Sequence, residues 1–286
     1  MHPKNPSPVR VAIFLTTAFA LAYGIDFSLS LLGGPEKNLL IYQFALMARM
    51  FTPFLGVILA ITLTGASLKD GLKNYGVRVG GHFLKCFIAA ITIPLAMLGI
   101  GVVYASIAGL PVQNPAEAFL KQLGGGLPID PATFLFLIIF SSILTGATFN
   151  AIFAFGEEIG WRGLLLEELK AKLGYVKTSI LIGSIWSAWH FPLILMFGYN
   201  YPENRELGLI LYTVLCIIWT GILMILKNES GSVIHPSIMH GTLNAFGGLM
   251  AMTIPVERII GLPVGVLSIA SSFTILVILS LIFKSG

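Results

Sequence analysis

Long stretches without a single charged side chain restrict this chain to a membrane protein. Residues 132–155, ATFLFLIIFSSILTGATFNAIFAF, contain no Asp, Glu, Lys or Arg. Hydrophobic residues make up 56% of the sequence, and the mean hydropathy is +0.89, far above that of soluble globular domains. An α-helix needs about 20 apolar residues to cross a bilayer. The segments that meet this requirement are 10–33, 39–65, 82–108, 132–156, 178–199, 207–226, 231–252 and 259–283.

These segments lack the alternating pattern of membrane β-barrel strands. Helices are therefore the only spanning structure that they can form. No stretch long enough for a soluble domain remains between them. We predict an all-α, polytopic membrane helix bundle of about eight transmembrane helices, with residues 1–286 forming a single integral-membrane domain.

Basic residues are unevenly divided between the two sides of this predicted bundle. With the N-terminus in the cytoplasm, the inner segments hold Lys4, Arg10, Lys69, Lys73, Arg78, Lys85, Arg162, Lys170, Lys172, Lys177, Lys227 and Lys284. The outer segments hold only Lys37, Lys121, Arg205 and Arg258. Because cytoplasmic loops are enriched in Lys and Arg, we predict cytoplasmic N- and C-termini and a location in the cell membrane. The dispersion of these charges disfavours a nucleic-acid partner.

Ionisable residues inside the predicted spans are few, and each costs about 2.5–3.5 kcal/mol at the centre of a membrane helix. Asp26 in the first span and Arg49 in the second lie at similar depths. This favours a structural ion pair between adjacent helices, with substrate contact as the less favoured alternative. The remaining ionisable residues belong to short motifs in the fourth, fifth and seventh spans.

The first motif is GEEIGWRG, residues 156–163. Glu158 and Arg162 are four residues apart, so on a helix they share a face and can pair. Glu157 points about 100° away from Glu158, which leaves it available for another role. Because Glu157 lies at the end of its span, it reaches the level of the other motifs if the helix is tilted or continues past residue 163.

The other two motifs carry histidines. Trp186 and His190 share a face of the fifth span, and His240 and Asn244 share a face of the seventh. Both histidines lie roughly 15–18 Å from the starts of their spans, so they can meet. His235 lies nearer the predicted cytoplasmic end, where we expect a capping role or a position at the cavity mouth.

One carboxylate, two imidazoles and one carboxamide suit the hydrolysis of a peptide bond. Glu157 would take a proton from water, and His190 would hold that water or pass the proton to the leaving amine. His240 and Asn244 would donate hydrogen bonds to the oxyanion. Alternatively, Glu157, His190 and His240 would ligate Zn²⁺. Because the sequence has no HExxH motif, the zinc-dependent mechanism is less favoured than direct activation of water by Glu157. The favoured mechanism requires no cofactor.

These motifs resemble, in order and spacing, those of the CAAX protease and bacteriocin-processing family, also called abortive-infection proteins. The family includes the type II CAAX prenyl endopeptidases. The resemblance covers about residues 130–250, the motif-bearing core, and implies an eight-helix intramembrane endopeptidase whose active site opens to the cytoplasm. Trp186 stands where the family often has Phe, a change that we expect to keep an aromatic wall and to disturb little.

The resemblance implies a role for each motif residue. Glu157 would be the water-activating base, assisted by His190, and His240 with Asn244 would stabilise the oxyanion. Glu158 and Arg162 would support the site. The substrate would be a membrane-associated protein or peptide, with a C-terminally prenylated one as the family's example. Members of the family have been described both as metalloproteases and as glutamate-dependent enzymes.

The alternative function is that of a non-catalytic membrane protein, such as a transporter, an immunity factor or a scaffold. Transporters often contain inverted repeats with paired broken helices, and no corresponding halves are present in this sequence. An inactive relative would be expected to lose part of the polar set, whereas all of it is present. The complete set favours the enzyme.

Overall fold

The computed structural model describes residues 7–124 and 128–283, and within these ranges the regular secondary structure is entirely helical. The predicted all-α fold is therefore confirmed. Lys4 and Lys284, which contribute to the predicted orientation, lie outside the described residues. The α-helices are α1 Pro8–Leu31, α2 Gly34–Lys37, α3 Leu39–Arg49, α4 Thr52–Leu63, α5 Leu68–Asn74, α6 Phe83–Ile107, α7 Pro115–Gln122, α8 Pro131–Thr145, α9 Ala151–Glu158, α10 Leu166–Phe197, α11 Arg205–Ser230, α12 Ile234–Thr253 and α13 Val266–Ile282.

Each of the eight predicted segments is helical over most of its length. Five stretches are long and apolar enough to cross a membrane: Pro8–Leu31, Leu39–Leu63, Phe83–Ile107, Pro131–Phe197 and Arg205–Ser230. The fourth of these contains two of the predicted spans. Helices α12 and α13 are not among these five stretches. Helix α13 has only 17 residues, and α12 contains two histidines and an asparagine, which make it less apolar than a typical membrane span. The count of eight crossings and the cytoplasmic termini stay predictions.

Pro131–Phe197 is too long to be one straight membrane helix. As a continuous helix its 67 residues would extend about 100 Å, more than three times the hydrocarbon thickness of a bilayer. Gly174 interrupts it with φ 71° and ψ 177°, a backbone conformation outside the helical region. Glycine adopts such positive φ values without the steric cost that a Cβ would add.

Local capping accounts for the beginnings of the first and fourth predicted spans. The Ser7 side chain accepts a hydrogen bond from the backbone N–H of Arg10, and the Asp130 side chain accepts from Ala132 and Thr133. A proline follows each of the two caps, at the helix position where its missing N–H costs nothing.

The core is formed where the motif-bearing helices meet. Its largest fully buried side chains include Trp161, Trp186, Trp189, Arg49 and Arg162. Large apolar side chains meanwhile cover much of the outer surface, such as Leu31, which is 90% exposed, and Ile107, which is 78% exposed. Soluble proteins rarely expose so much contiguous apolar surface, so this arrangement fits a bundle solvated by lipid.

Asp26 and Arg49 form the predicted ion pair in two hydrogen bonds. Arg49 Nε lies 2.8 Å from Asp26 Oδ1, and Arg49 Nη2 lies 2.9 Å from Asp26 Oδ2. Both residues are almost completely buried. The pair joins α1 to the end of α3, as the matching depths of the two residues predicted.

Several segments that were predicted to lie on the inner side do meet. Glu168 accepts hydrogen bonds from Arg10 Nε at 2.7 Å and from the Tyr75 hydroxyl at 2.9 Å. Burial raises the pKa of Tyr75, which keeps its hydroxyl protonated as a donor. The neighbouring Glu167 pairs with Lys227 at 3.2 Å. These contacts connect α1, α10, α11 and the loop after α5 at one end of the bundle.

Glycine permits the close crossing of α10 and α11. A Cβ atom added at Gly183 would lie 2.4 Å from the Ile217 Cα atom and 2.9 Å from the Cys216 carbonyl oxygen. Both atoms belong to the backbone, so neither can move aside without separating the helices. We therefore expect Gly183→Ala to lower the free energy of unfolding by about 1–3 kcal/mol, measured as a lower Tm of the purified protein in detergent.

Gly99 provides the matched control for that measurement. No neighbouring atom of the described residues lies within 4 Å of a Cβ added at this position in α6, so Gly99→Ala gains helix propensity without a clash. Equal Tm values for the two variants would contradict the interpretation of Gly183 as a packing contact.

Candidate active site

The four predicted catalytic residues and Trp186 line a single cavity, here called the central cavity, whereas the predicted supporting residues Glu158 and Arg162 lie outside its lining. It contains Glu157, Trp186, His190, His240 and Asn244, and thus brings together residues from α9, α10 and α12. Its volume is about 70 Å³, which is room for about two water molecules. The remaining lining residues are Leu46, Arg49, Met50, Trp189, Leu193, Tyr199, Tyr212 and Trp219.

Glu157 presents one carboxylate oxygen to this cavity. The side chain is only 2% exposed, and its Oε2 atom accepts a hydrogen bond of 2.8 Å from the indole N–H of Trp186. Its Oε1 atom has no hydrogen-bond partner among the described residues, and it is not sealed off from the cavity. The carboxylate is therefore held at one oxygen and available at the other.

Trp186 consequently does more than provide an aromatic wall. The expectation that Trp in place of Phe would disturb little is wrong, because the indole N–H is the donor that holds Glu157. A phenylalanine ring has no such donor. The spacing of the motif alone did not reveal this contact, since it depends on how α9 and α10 face each other.

The depth of Glu157 agrees with the other motifs because its helix continues. After α9 the chain forms a π-helical segment, Ile159–Leu165, and then enters α10. Another π-helical turn, Gly146–Asn150, precedes α9. Single π-helical turns inside α-helices occur frequently at functional sites. Here the two π-helical segments flank Glu157 and Glu158. Of the two possibilities that the sequence allowed, a tilted helix or a helix that continues past residue 163, the structure shows the continuation.

Glu158 is the centre of a buried polar network. Its Oε1 atom accepts hydrogen bonds of 2.9 Å from Arg162 Nη1 and from His240 Nδ1. Arg162 also donates to Thr220 Oγ1 at 2.9 Å, and its guanidinium carbon lies 4.2 Å from the centre of the Trp186 ring. The predicted pairing of Glu158 with Arg162 is confirmed, whereas Thr220 carries no sequence motif.

Both histidines of the site are held through Nδ1. The Nδ1 atom of His190 lies 2.9 Å from the carbonyl oxygen of Trp186, and because a carbonyl only accepts, this nitrogen carries the proton. His240 uses Nδ1 for Glu158. In each ring the remaining nitrogen, Nε2, has no partner among the described residues and is left for the cavity.

Asn244 lies at the rim of the cavity, one turn after His240. It is exposed and has no hydrogen-bond partner within the described part of the chain. Helix α12 comes close enough to present both residues because Gly241 packs directly on the first π-helical turn. A Cβ atom at Gly241 would lie 2.5 Å from the carbonyl oxygen of Gly146 and from the backbone nitrogen of Ala151.

His235 does not have the role expected from the sequence. It is fully buried, its ring is in edge-to-face contact with Phe83, and it does not line the central cavity. At the start of α12 the backbone N–H of Ile234 donates to Ser232 Oγ at 3.2 Å, so the side chain of His235 is not the cap. The prediction of a cap or a mouth position was wrong, because the segment before α6 covers this end of α12.

Arg49, Tyr199 and Tyr212 line the cavity but were not predicted as site residues. Arg49 was noticed as a charge within a span and was interpreted as structural. The rings of Tyr199 and Tyr212 contact His190, with centroid distances of 6.4 and 5.1 Å. Nothing in the sequence distinguishes these tyrosines from other aromatic residues of a membrane helix bundle.

The proposed zinc ligands do not form a metal site in this arrangement. Among the described residues, no group of three or more His, Cys, Asp or Glu side chains is placed to hold one ion. The nearest interactions of Glu157 and His240 are instead with Trp186 and Glu158.

The pairing of Glu158 with Arg162 leads to a stability prediction. Arg162→Met leaves a buried carboxylate without its main partner, so we expect a loss of about 3 kcal/mol in the free energy of unfolding. The double variant Glu158→Gln/Arg162→Met removes both charges and is expected to recover much of the loss. Lys85→Met is the control, since its exposed pair with Glu229, at 3.9 Å, contributes less than about 1 kcal/mol. Equal unfolding of the single and double variants would contradict the prediction.

Two comparisons with known proteins agree with this geometry. The family described as Type II CAAX prenyl endopeptidase Rce1-like matches residues 131–246. A CAAX prenyl protease 2 from Methanococcus maripaludis is 26% identical over 246 residues, which cover 84% of this chain and 85% of the relative. These matches favour the enzyme over the non-catalytic alternative. The chain is therefore an intramembrane endopeptidase that is similar to the CAAX prenyl proteases over the matched residues.

Proposed function

We propose that the protein hydrolyses a peptide bond near the C-terminus of a prenylated, membrane-associated protein or peptide, and that Glu157 activates the attacking water. One observation carries the proposal. One carboxylate oxygen and two imidazole nitrogens, none of which has a partner among the described residues, share a cavity of about 70 Å³. In an otherwise apolar bundle, a set of this kind is expensive to maintain without a use.

The reaction begins with a water molecule held between Glu157 and His190. The Oε1 atom of Glu157 accepts a proton from this water while the water oxygen attacks the carbonyl carbon of the substrate. The hydrogen bond from Trp186 to Oε2 keeps the carboxylate from rotating away. The neutral His190 accepts a second hydrogen bond from the water at Nε2 and so orients its lone pair.

His240 and Asn244 then stabilise the tetrahedral oxyanion. The Nδ1–H of His240 is directed to Glu158, so Nε2 donates only when the ring is an imidazolium. Glu158 stabilises that cation by its negative charge, and this gives the second glutamate a function without contact with the substrate. The carboxamide of Asn244 supplies another donor from the rim.

The intermediate collapses when the C–N bond breaks. The proton that Glu157 took from water passes to the leaving amine nitrogen, directly or through Nε2 of His190. The products are a carboxylic acid on the retained part of the substrate and an amine on the released peptide. Glu157 and His190 return to their starting protonation states.

Two findings support a prenylated substrate. The matching family is described as a prenyl endopeptidase, and the relative from Methanococcus maripaludis is a CAAX prenyl protease. We further propose that the site opens to the cytoplasmic side of the cell membrane, as the resemblance to the CAAX protease family implies.

The assignment of Glu157 is tested by replacing it with its uncharged isostere. We expect Glu157→Gln, His190→Ala and His240→Ala each to abolish cleavage of a prenylated peptide, measured by mass spectrometry of the released fragment. Asn244→Ala is expected to retain about 0.1–1% of the activity, since the loss of one oxyanion donor costs roughly 10²–10³ in rate.

Glu206→Gln is the control for that series, because Glu206 is an exposed residue in the first turn of α11 and lies outside the cavity. All variants are compared at equal amounts of folded protein. Cleavage by Glu157→Gln at a rate near that of the unaltered protein would refute the base assignment.

We also propose that catalysis needs no metal cofactor. Protein that is dialysed against a chelator and contains less than about 0.1 zinc ion per chain by elemental analysis is expected to keep its full activity, because Glu157 and not a metal ion activates the attacking water. Loss of activity that is restored by added Zn²⁺, but not by Mg²⁺, would instead establish the zinc interpretation.

A further inference from the structure

Arg49 lies in the wall of the central cavity as well as in the ion pair with Asp26. It is the last residue of α3 and is 1% exposed. Two of its three guanidinium nitrogens, Nε and Nη2, bind Asp26. Nη2 also donates to the carbonyl oxygen of Trp189, and the guanidinium carbon lies 3.7 Å from the centre of the Trp189 ring. The group is thus held rigidly on two sides.

The third nitrogen of Arg49, Nη1, has no acceptor among the described residues. It is also not enclosed by protein, unlike the buried unpartnered Nε atom of Arg162. Since Arg49 lines the cavity and its other nitrogens are occupied, the two N–H groups of Nη1 are the part left for a molecule inside. A guanidinium donor in such a place needs an acceptor.

Comparison with Arg162 separates this arrangement from a purely structural one. Arg162 is equally buried, but both of its terminal nitrogens are bound, to Glu158 and to Thr220, and it does not line the cavity. A structural role accounts for the contacts of Arg49 with Asp26 and Trp189. It does not account for the unoccupied nitrogen.

We propose that Nη1 of Arg49 binds the free C-terminal carboxylate of the substrate. This inference rests on the proposed function, since the released peptide then carries that carboxylate. Among the described residues that line the cavity, Arg49 is the only one with a permanent positive charge, and the rest of the lining is largely aromatic and aliphatic. A carboxylate entering such surroundings requires a charged partner, and Glu157 would repel it.

A fixed anchor for the carboxylate also explains how cleavage near a chain end can be selective. Asp26 and Trp189 hold the guanidinium of Arg49 in place, so the protein fixes its position relative to Glu157. The number of residues between the carboxylate and the scissile bond is then set by the protein. Arg49 is a specificity-determining residue in this scheme, and Asp26 and Trp189 are its positioning groups.

The test uses a pair of prenylated peptides that are identical except at the C-terminus, one ending in a free carboxylate and the other in a carboxamide. A hydrogen-bonded contact with a charged group leads us to expect that the unaltered protein prefers the acid by about 10- to 100-fold in kcat/KM. The difference should lie mainly in KM. In Arg49→Gln the acid-to-amide ratio is expected to fall to about 1–3, as no charged donor remains.

Two further variants keep the result interpretable. The double variant Asp26→Asn/Arg49→Gln removes both charges, so no buried carboxylate is left unpaired if the single variant is poorly folded. Arg258→Gln, which alters an exposed arginine outside the central cavity, is expected to keep the preference of the unaltered protein.

The possible failures are distinguishable. If the unaltered protein cleaves acid and amide equally well, the carboxylate anchor is refuted and the proposed function stands. A preference that persists in both Arg49 variants likewise refutes the anchor. If neither peptide is cleaved, the proposed function itself fails, and the anchor fails with it.

Discussion

The pairing of Glu158 with Arg162 and His240 is the interaction on which the arrangement of the site depends. A carboxylate within an apolar bundle is tolerated only when opposite charges and hydrogen-bond donors surround it. Arg162 and His240 both reach the same oxygen of Glu158, which ties α12 to the segment after α9. Arg162 also lies against the face of Trp186, so the indole that holds Glu157 is itself fixed by this network.

Two adjacent glutamates therefore acquire different roles from their surroundings. Glu158 is turned toward Arg162 and His240 and is completely buried, whereas Glu157 meets one neutral donor and the cavity. The two buried arginines differ in a comparable way. Arg162 has both terminal nitrogens bound by protein groups, whereas Arg49 keeps one for the cavity. The two glutamates have the same functional group, as do the two arginines. Contacts with neighbouring helices give each residue its different role.

Much of the site was predictable because charges in membrane helices are rare. Glu157, His190, His240 and Asn244 stood out against spans that otherwise contain almost no ionisable groups, and all four line one cavity. The pairs Asp26–Arg49 and Glu158–Arg162 followed from matching depths and from helical spacing. The hydrogen bond from Trp186, the contact with Thr220 and the tyrosines around His190 were not predictable. They involve residue types that are common in such bundles, and their importance comes from contacts between segments distant in sequence.

The amino-acid sequence by itself determined the helical class, the membrane environment and the small set of polar residues available for chemistry. Hydrophobicity and helical periodicity are local properties, and the cost of placing a charge in lipid makes each exception visible. Only the tertiary structure decided which oxygen of Glu157 is accessible, which imidazole nitrogens face the cavity and that Arg49 belongs to its wall. These features depend on the close crossings at Gly183 and Gly241 and on the π-helical turns around α9. Such packing sets the orientation of side chains across helices, which no spacing within a single helix specifies.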